Sequence, residues 1–426
     1  MQLSKARIQE HNQPLLASHQ LRLNLLSEEL SERGVAVRDL IQRLVDFQVA
    51  IPSWALGTGG TRFGRYAGVG EPQSLEQKIE DVGLLHALNR SSGAISLHIP
   101  WDIPENAAHI KALMQEHDLA FDAMNSNTFQ DQRDQQHSYK FGSLSHTDAA
   151  VRKQAVEHNL EVIRYGEELG SKALTVWLAD GSSFPGQRNF RTVLQNTYES
   201  LREIYAALPA DWKVFVEYKP FEPYFYSTVI QDWGTSFLLA NKLGDKAYTL
   251  VDLGHHLPNA NIEQIVATLL MEGKLGGFHF NDSKYADDDL TVGSIKPYQL
   301  YLIFLELVHG MDDPQTNNPP ISYMIDASHN LKDPLEDLLQ SVEAIQLAYA
   351  QALLVDKQAL EAARADNDVV GAQEILQNAF RTDVRPLVRE AFRQAGGALD
   401  PLGLYRKLDV RRQLYDERGV GIATGL

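Results

Sequence analysis

AYTLVDLG at 247–254 and LGGFHFND at 275–282 are two short apolar runs that close on polar residues, separated by a longer amphipathic stretch. Short runs rich in β-branched and aromatic residues are the pattern of strands buried on both faces, as in a parallel sheet covered by helices. The pattern continues in both directions. Upstream lie VAIP at 49–52, AISLHIP at 94–100, LAFDAMN at 119–125, KALTVWLA at 172–179 and KVFVEY at 213–218; downstream lies ISYMID at 321–326. Between them SLEQKIEDVGLLHALNR, DAAVRKQAVEHNLEVIRYGEELG and SLREIYAAL carry helical periodicity. Eight strands alternating with helices predict an α/β fold, a closed (β/α)8 TIM barrel over residues 47–353. Before it, Leu23, Leu26, Leu30, Val37, Leu40 and Leu44 recur at helical spacing and predict an N-terminal helical arm over 1–46. After it, ALEAARADND, AQEILQNAFRT and RPLVREAFRQ predict a C-terminal helical extension over 354–426, wrapping the barrel or a neighbouring subunit and carrying no chemistry.

Composition narrows the function. The 426 residues are 44% hydrophobic, carry a formal charge of −17 and include no cysteine. Thiolate nucleophiles, disulfides and cysteine-ligated metals are excluded. A surface that acidic repels phosphate backbones, so no nucleic-acid partner is expected. The first residues show no apolar core of a secretory signal, and no run of 18 apolar residues occurs, so a cytoplasmic protein with no membrane partner is expected.

The strand ends point to the chemistry. In order they carry Trp54, His98, Asn125, Trp177, Glu217, Asp252, His279 and Asp326. A TIM barrel builds its active site on the face where those ends converge. Four consecutive strands ending in Glu, Asp, His and Asp gather donors that suit a divalent cation, and crowded carboxylates call for a counter-ion. DLGHH places Asp252 and His255 three apart just past a strand, with His256 turned outward or supporting; GFHFNDSKYADDDL sets His279 and Asn281 on one strand face and follows them with Asp287 and Asp289. In VFVEYKPFEP, Glu217 and Lys219 alternate onto one face, and the lysine is either a donor to a sugar oxygen or half of a rim salt bridge. MIDASHN ends the last strand at Asp326, with Ser328 as a substrate contact or a helix start. The candidate ligands are therefore Glu217, Asp252, His255, His279, Asp287, Asp289 and Asp326, a generous set for one ion, with Asp252 placed to bridge two. Two cations on vicinal oxygens serve a hydride shift, and the same geometry serves hydrolysis, as in a phosphodiesterase or endonuclease. Trp54, His98, Trp101, Phe129 and Trp177 are either packing at the barrel cap or the wall of a sugar pocket. The Gly-rich stretch 57–72 lacks a phosphate-loop ending and is expected to be an active-site or interface loop. His137, His146 and His158 show no ligand-like spacing.

Taken together, SWALGTGGTRF, SLHIPWD, FDAMNSNTF, KALTVW, DWGT, VDLGHH, GGFHFNDSKY and MIDASHN resemble the Pseudomonas-type L-rhamnose isomerase family, from about residue 45 into the tail. The wider similarity is to xylose isomerases. That resemblance implies a metal-dependent isomerase interconverting L-rhamnose and L-rhamnulose, broad toward aldoses, with D-allose/D-allulose isomerases and ketose epimerases as neighbouring alternatives. It implies two divalent cations per subunit, Mn2+ foremost and Co2+, Mg2+ or Zn2+ as alternatives. Glu217, Asp252, His279 and Asp326 would hold the structural ion; His255, Asp287 and Asp289, with Asp252 shared, would hold the catalytic one. Asp326, Lys219 and His98 would be catalytic. Trp54, Trp101, Phe129, Trp177 and Ser328 would join His98 and Lys219 against the monosaccharide, and Phe63 would reach a neighbour's substrate within a homotetramer. Tyr218 stands where the resemblance leads one to expect histidine.

Overall fold

The computed structural model describes residues 3–57, 66–222, 226–327 and 331–421. Among them, eight parallel strands close into a barrel: β1 (Ala50–Pro52), β2 (Ala94–Ile99), β3 (Ala120–Ser126), β4 (Ala173–Val176), β5 (Lys213–Glu217), β6 (Ala247–Asp252), β7 (Leu275–Phe280) and β8 (Ser322–Ile325). Each pairs with its neighbours in chain order, and β8 returns to β1. All the predicted strands are present, some trimmed by a residue or more at their ends. The helices that follow them are α1 (Leu75–Asn89), α2 (Ala107–Glu116), α3 (Ala149–Leu169), α4 (Phe190–Ala207), α5 (Trp233–Leu243), α6 (Ile262–Met271), α7 (Pro297–Met311) and α8 (Pro334–Leu353). Their starts are written locally. Ser74, Asn106, Asp148, Asn189, Asp232, Asn261 and Asp333 each accept a first-turn amide through the side chain, and α7 opens on Pro297.

Period-two alternation sorts the strand residues. Val214, Val216, Val251, Phe278, Phe280 and Ile325 face outward into the apolar layer beneath the helices, while Ala123, Ala173, Phe215 and Leu250 form a separate cluster inside the barrel. The barrel is thus plugged by side chains rather than hollow. Two residues further along those strands stand Asn125, Thr175, Glu217 and Asp252. The polar layer at the C-terminal mouth therefore rests directly on an apolar floor.

Helices Lys5–Asn12, Leu16–Glu32 and Val37–Asp46 precede the barrel, and helices between Lys357 and Arg418 follow it. The two ends of the chain meet. Arg385–Gln394 packs on the two helices spanning Leu16–Glu32 and Val37–Asp46, and His19 Nε2 lies 2.8 Å from Glu390 Oε2. Asn12 bonds the backbone of Gly397 and Leu399. A three-stranded antiparallel ribbon (Gly181–Ser182, Phe221–Glu222, Tyr226–Thr228) crosses loops at the mouth, and Val420–Gly421 pairs with Gly68–Val69. No single described helix is long and apolar enough to cross a membrane. The bent pair that passes by length and composition is α8 with Lys357–Ala365, and Leu335, Leu338, Val342 and Ile345 of α8 are core residues.

Candidate active site

Register brings the donors together. Asp252 pairs with His279 across β6 and β7, and the amide of Asp326 donates to Phe280 O at 2.9 Å, extending the β7–β8 ladder by one residue. Asp252 is fully buried. Its Oδ1 accepts from Gly254 N at 2.7 Å and from Asn281 Nδ2 at 2.9 Å, which fixes the carboxylate plane.

Two donor sets result. Glu217, Asp252, His279 and Asp326 bring one ligand atom each within 4.8 Å of one another, and so do Asp252, His255 and Asp287. Asp252 belongs to both. His279 Nδ1 lies 3.3 Å from Glu217 Oε1, 3.6 Å from Asp252 Oδ2 and 3.7 Å from Asp326 Oδ2. His255 reaches Glu217 Oε1 at 3.3 Å through Nδ1 and Asp287 Oδ1 at 3.3 Å through Nε2. Asp289 is buried and lines the same cavity, but it stands outside both sets.

These residues fit divalent cations. Asp252 Oδ2, His255 Nδ1 and His279 Nδ1 are buried without a hydrogen-bond partner, although buried polar groups are ordinarily satisfied. Oxygen and imidazole donors with no sulfur suit Mn2+, Mg2+ or Co2+. Electrostatics points the same way. Burial alone would lower His255, but Asp252, Asp287 and Glu217 outweigh it and raise the imidazole to about 9. His279 is likewise raised well above its ordinary value, against burial, chiefly by Glu217. Burial, aided by Asp252 and Glu217 and opposed by His279, pushes Asp326 up to about 6. Without a cation, then, the cluster offsets its own negative charge by holding protons on its imidazoles. A bound cation would replace them.

The wall of the site is aromatic. Trp54 Nε1 donates to Asp326 Oδ1 at 2.9 Å. The Trp54 ring meets His98 edge-on at 5.3 Å, His98 lies 4.2 Å from Trp101, and Phe129 meets Trp177 at 4.8 Å. Together with Asn125, Ser126, Thr175, Glu217, His255, His279, Asp289 and Asp326 they line one cavity at the barrel mouth. His98 is held neutral, lowered to about 3 mainly by burial, and its Nδ1 has no partner.

Lys219 sits beside this cavity, almost fully buried. Its Nζ donates to Glu222 Oε1 at 2.8 Å, lies 2.6 Å from Asp287 Oδ2, and stands 5.3 Å over the Trp177 ring. The salt-bridge reading of this residue is therefore realised, at the edge of the second donor set. Tyr218 turns the other way, its hydroxyl 2.6 Å from His256 Nε2. His158 Nε2 meets Ile99 O and Asn127 N at 3.2 Å each. Phe63 and Ser328 lie outside the described residues.

Sequence reasoning missed the groups that hold the site. Asp102 Oδ2 accepts from Ser53 Oγ at 2.5 Å and from His98 N at 2.8 Å, while its Oδ1 accepts from Lys78 Nζ at 2.6 Å in a fully buried pair. Glu222, the partner of Lys219, belongs to the ribbon. The buried lysine within α1 was the one visible signal, since such an ammonium requires a partner.

Residues 92–294 match the xylose isomerase-like TIM barrel family. The chain is 53% identical over 393 residues to a probable sugar isomerase of Mesorhizobium japonicum, spanning 92% of this chain and 91% of that protein. It is 51% identical over 393 residues to a probable sugar isomerase of Rhizobium meliloti, with the same coverage. Among solved structures it is similar to an L-ribulose 3-epimerase, with TM-score 0.52 and 14% identity over 76% of this chain and 98% of the other, a likeness of fold.

Proposed function

The chain belongs to the family of these probable sugar isomerases, on the xylose isomerase-like barrel, and on that premise we propose that it is a divalent-metal-dependent aldose–ketose isomerase interconverting L-rhamnose and L-rhamnulose. The observation that carries the reading is the pair of donor sets sharing Asp252, of which Glu217, His255, His279 and Asp326 line an aromatic-walled cavity. The substrate itself rests on the resemblance of VDLGHH, HFNDSKY and MIDASHN to L-rhamnose isomerases.

When bound, two cations supply the polarisation of a carbonyl and its neighbouring hydroxyl that a hydride shift between adjacent carbons needs. Glu217, Asp252, His279 and Asp326 would hold one ion; Asp252, His255 and Asp287, with Asp289 close by, would hold the other. The chain's own residues do the rest. His98, kept neutral, has a bare Nδ1 that can hydrogen-bond a sugar hydroxyl and orient it. Lys219 Nζ, fixed between Asp287 and Glu222, places a positive charge beside the second donor set and can donate to a substrate oxygen. Asp326, near neutrality in the cation-free protein, can hold a proton or join the anionic set. Trp54, Trp101, Phe129 and Trp177 exclude water from the transferring hydrogen and stack on apolar sugar faces.

A second copy completes this proposal. Ile103, Phe141, Phe184, Leu257, Tyr285 and Leu331 are exposed, each in a different βα loop at the mouth. A rim of large apolar side chains is surface that another subunit would bury, in keeping with a homotetramer.

The deciding experiment is a panel of aldoses assayed after chelation and again with Mn2+. Conversion of L-rhamnose should vanish with EDTA and return with Mn2+; full activity in a metal-free preparation would refute the mechanism. With aldose deuterated at C2, retention of label in the ketose supports a hydride shift, whereas wholesale exchange with solvent indicates an enediol. Turnover of ketoses without any aldose product would assign the chain to the epimerases.

A further inference from the structure

One segment near the C-terminus grips the far ends of two loops at the barrel mouth. The loop after β1 passes through Gly68–Glu71 on its way to α1, and the loop after β8 reaches Asp333, the N-cap of α8. Arg411, on the helix Val410–Arg418, touches both. Its Nε and Nη2 donate to the two oxygens of Asp333 at 2.7 Å each, and its Nη1 donates to Val69 O at 2.9 Å and Gly70 O at 3.4 Å. The planar guanidinium fork matches a carboxylate in a way an ammonium does not.

Flanking contacts reinforce each side. Tyr405 OH donates to Asp333 Oδ2 at 3.1 Å, and Arg406 forks onto Glu336 at 2.8 and 2.6 Å. On the other loop, Val420–Gly421 pairs antiparallel with Gly68–Val69, Gly70 N donates to Gly419 O at 2.8 Å, and Arg418 Nη1 reaches Gly70 O at 3.4 Å and, in α1, Asp81 Oδ2 at 2.8 Å. The approach is close enough to require glycine. Gly70 has φ of +66°, and a Cβ there would lie 2.7 Å from the Leu414 carbonyl carbon and 2.8 Å from Tyr415 N.

The near ends of the same two loops meet in the site. One begins at Trp54 and the other at Asp326, which the Trp54 indole bonds directly. We propose that the tail segment 401–421 is positioning machinery for the active site, with Arg411 the positioning residue that ties residues 66–71 to Asp333 and so steadies the β1 and β8 ends that carry Trp54 and Asp326. The inference takes its substrate from the isomerase reading; the tie between the loops does not depend on it.

The test compares Arg411→Ala, Arg411→Lys and Gly70→Ala with wild type, all as the full chain. Four quantities are measured: Mn2+ affinity, kcat and KM for L-rhamnose, and amide hydrogen exchange. Asp326 is held by the β7–β8 ladder and the other cation donors lie outside the two tied loops, so Mn2+ affinity should stay within about twofold, while KM rises about tenfold in Arg411→Ala and less in Arg411→Lys. Amides of 66–71 and 331–336 should exchange faster, and those of β5, β6 and β7 should not. Unchanged exchange in those loops, unchanged KM despite faster exchange, or Mn2+ affinity weakening in step with the rise in KM would each overturn the proposal. If the wild type converts no sugar, the isomerase reading falls and the exchange rates alone decide the tie.

Discussion

Raising the pH should tighten cation binding while loosening the cation-free protein. A ligand imidazole must be neutral, and His255 is raised to about 9. Both pH 6.5 and pH 8.5 lie below that value, so the neutral fraction, and with it the affinity for the ion held by Asp252, His255 and Asp287, should rise by more than tenfold between them, or roughly 2 kcal/mol. His279, also raised, gives the other set a gain of the same sign. Titrating chelated protein with Mn2+ by calorimetry, in two buffers of different ionisation enthalpy, counts the protons released; about one per ion is expected near pH 7. Stability supplies the opposite sign. An imidazole raised on folding stabilises fully below its unfolded value of 6.5 and loses that contribution as pH rises through about 9. This contribution to the Tm of chelated protein should therefore decline across that window, and the gap between loaded and chelated protein should widen. An affinity that changes less than about threefold between pH 6.5 and 8.5, with no protons released, would refute both the proton-holding cluster and the assignment of these imidazoles as ligands.

Asp252→Asn removes the carboxylate common to both sets, so turnover should fall by about a thousandfold or more and Mn2+ stoichiometry should drop, as inhibitor-free kinetics and metal analysis would show. Trp54→Phe deletes the indole N–H that Asp326 accepts while keeping the aromatic wall; KM for L-rhamnose should rise roughly threefold to tenfold with both ions retained, measured at saturating Mn2+. Gly166 of α3 faces Trp212, where an added Cβ would approach Trp212 Cη2 to 2.4 Å. Gly166→Ala should cost about 1–3 kcal/mol in chemical denaturation and leave KM unchanged.

The barrel was legible because its strands are covered on both faces. KVFVEY and LGGFHFND leave no alternation to confuse with an edge strand, and each run ends where apolar residues give way to a donor. The donor sets were legible for a related reason: neighbouring strands of a closed barrel end on one face, so Glu217, Asp252, His279 and Asp326 had to converge. Other features gave no such signal. The ribbon that supplies Glu222 is made of strands two or three residues long, too short for any periodicity. Asp102 meets Lys78 across 24 positions, and Arg411 meets Asp333 across 78, so neither pairing has a local pattern. Lys219 was left between two roles because its spacing gives its face but not its partner. Asp289 shows the limit of motif reading: D-x-D fixes a loop composition, while a backbone φ of +45° decides where the second carboxylate goes.

The meeting of the chain's two ends has a consequence for synthesis. His19 finds Glu390 only 371 residues later. At ribosomal rates of about 5–20 residues per second, the N-terminal helices wait roughly 20–75 s for their partner. Asp326, which completes the first donor set, emerges well before residue 390. The nascent barrel can therefore gather its cation donors while Leu16–Glu32 still lacks Arg385–Gln394, the helix on which it packs.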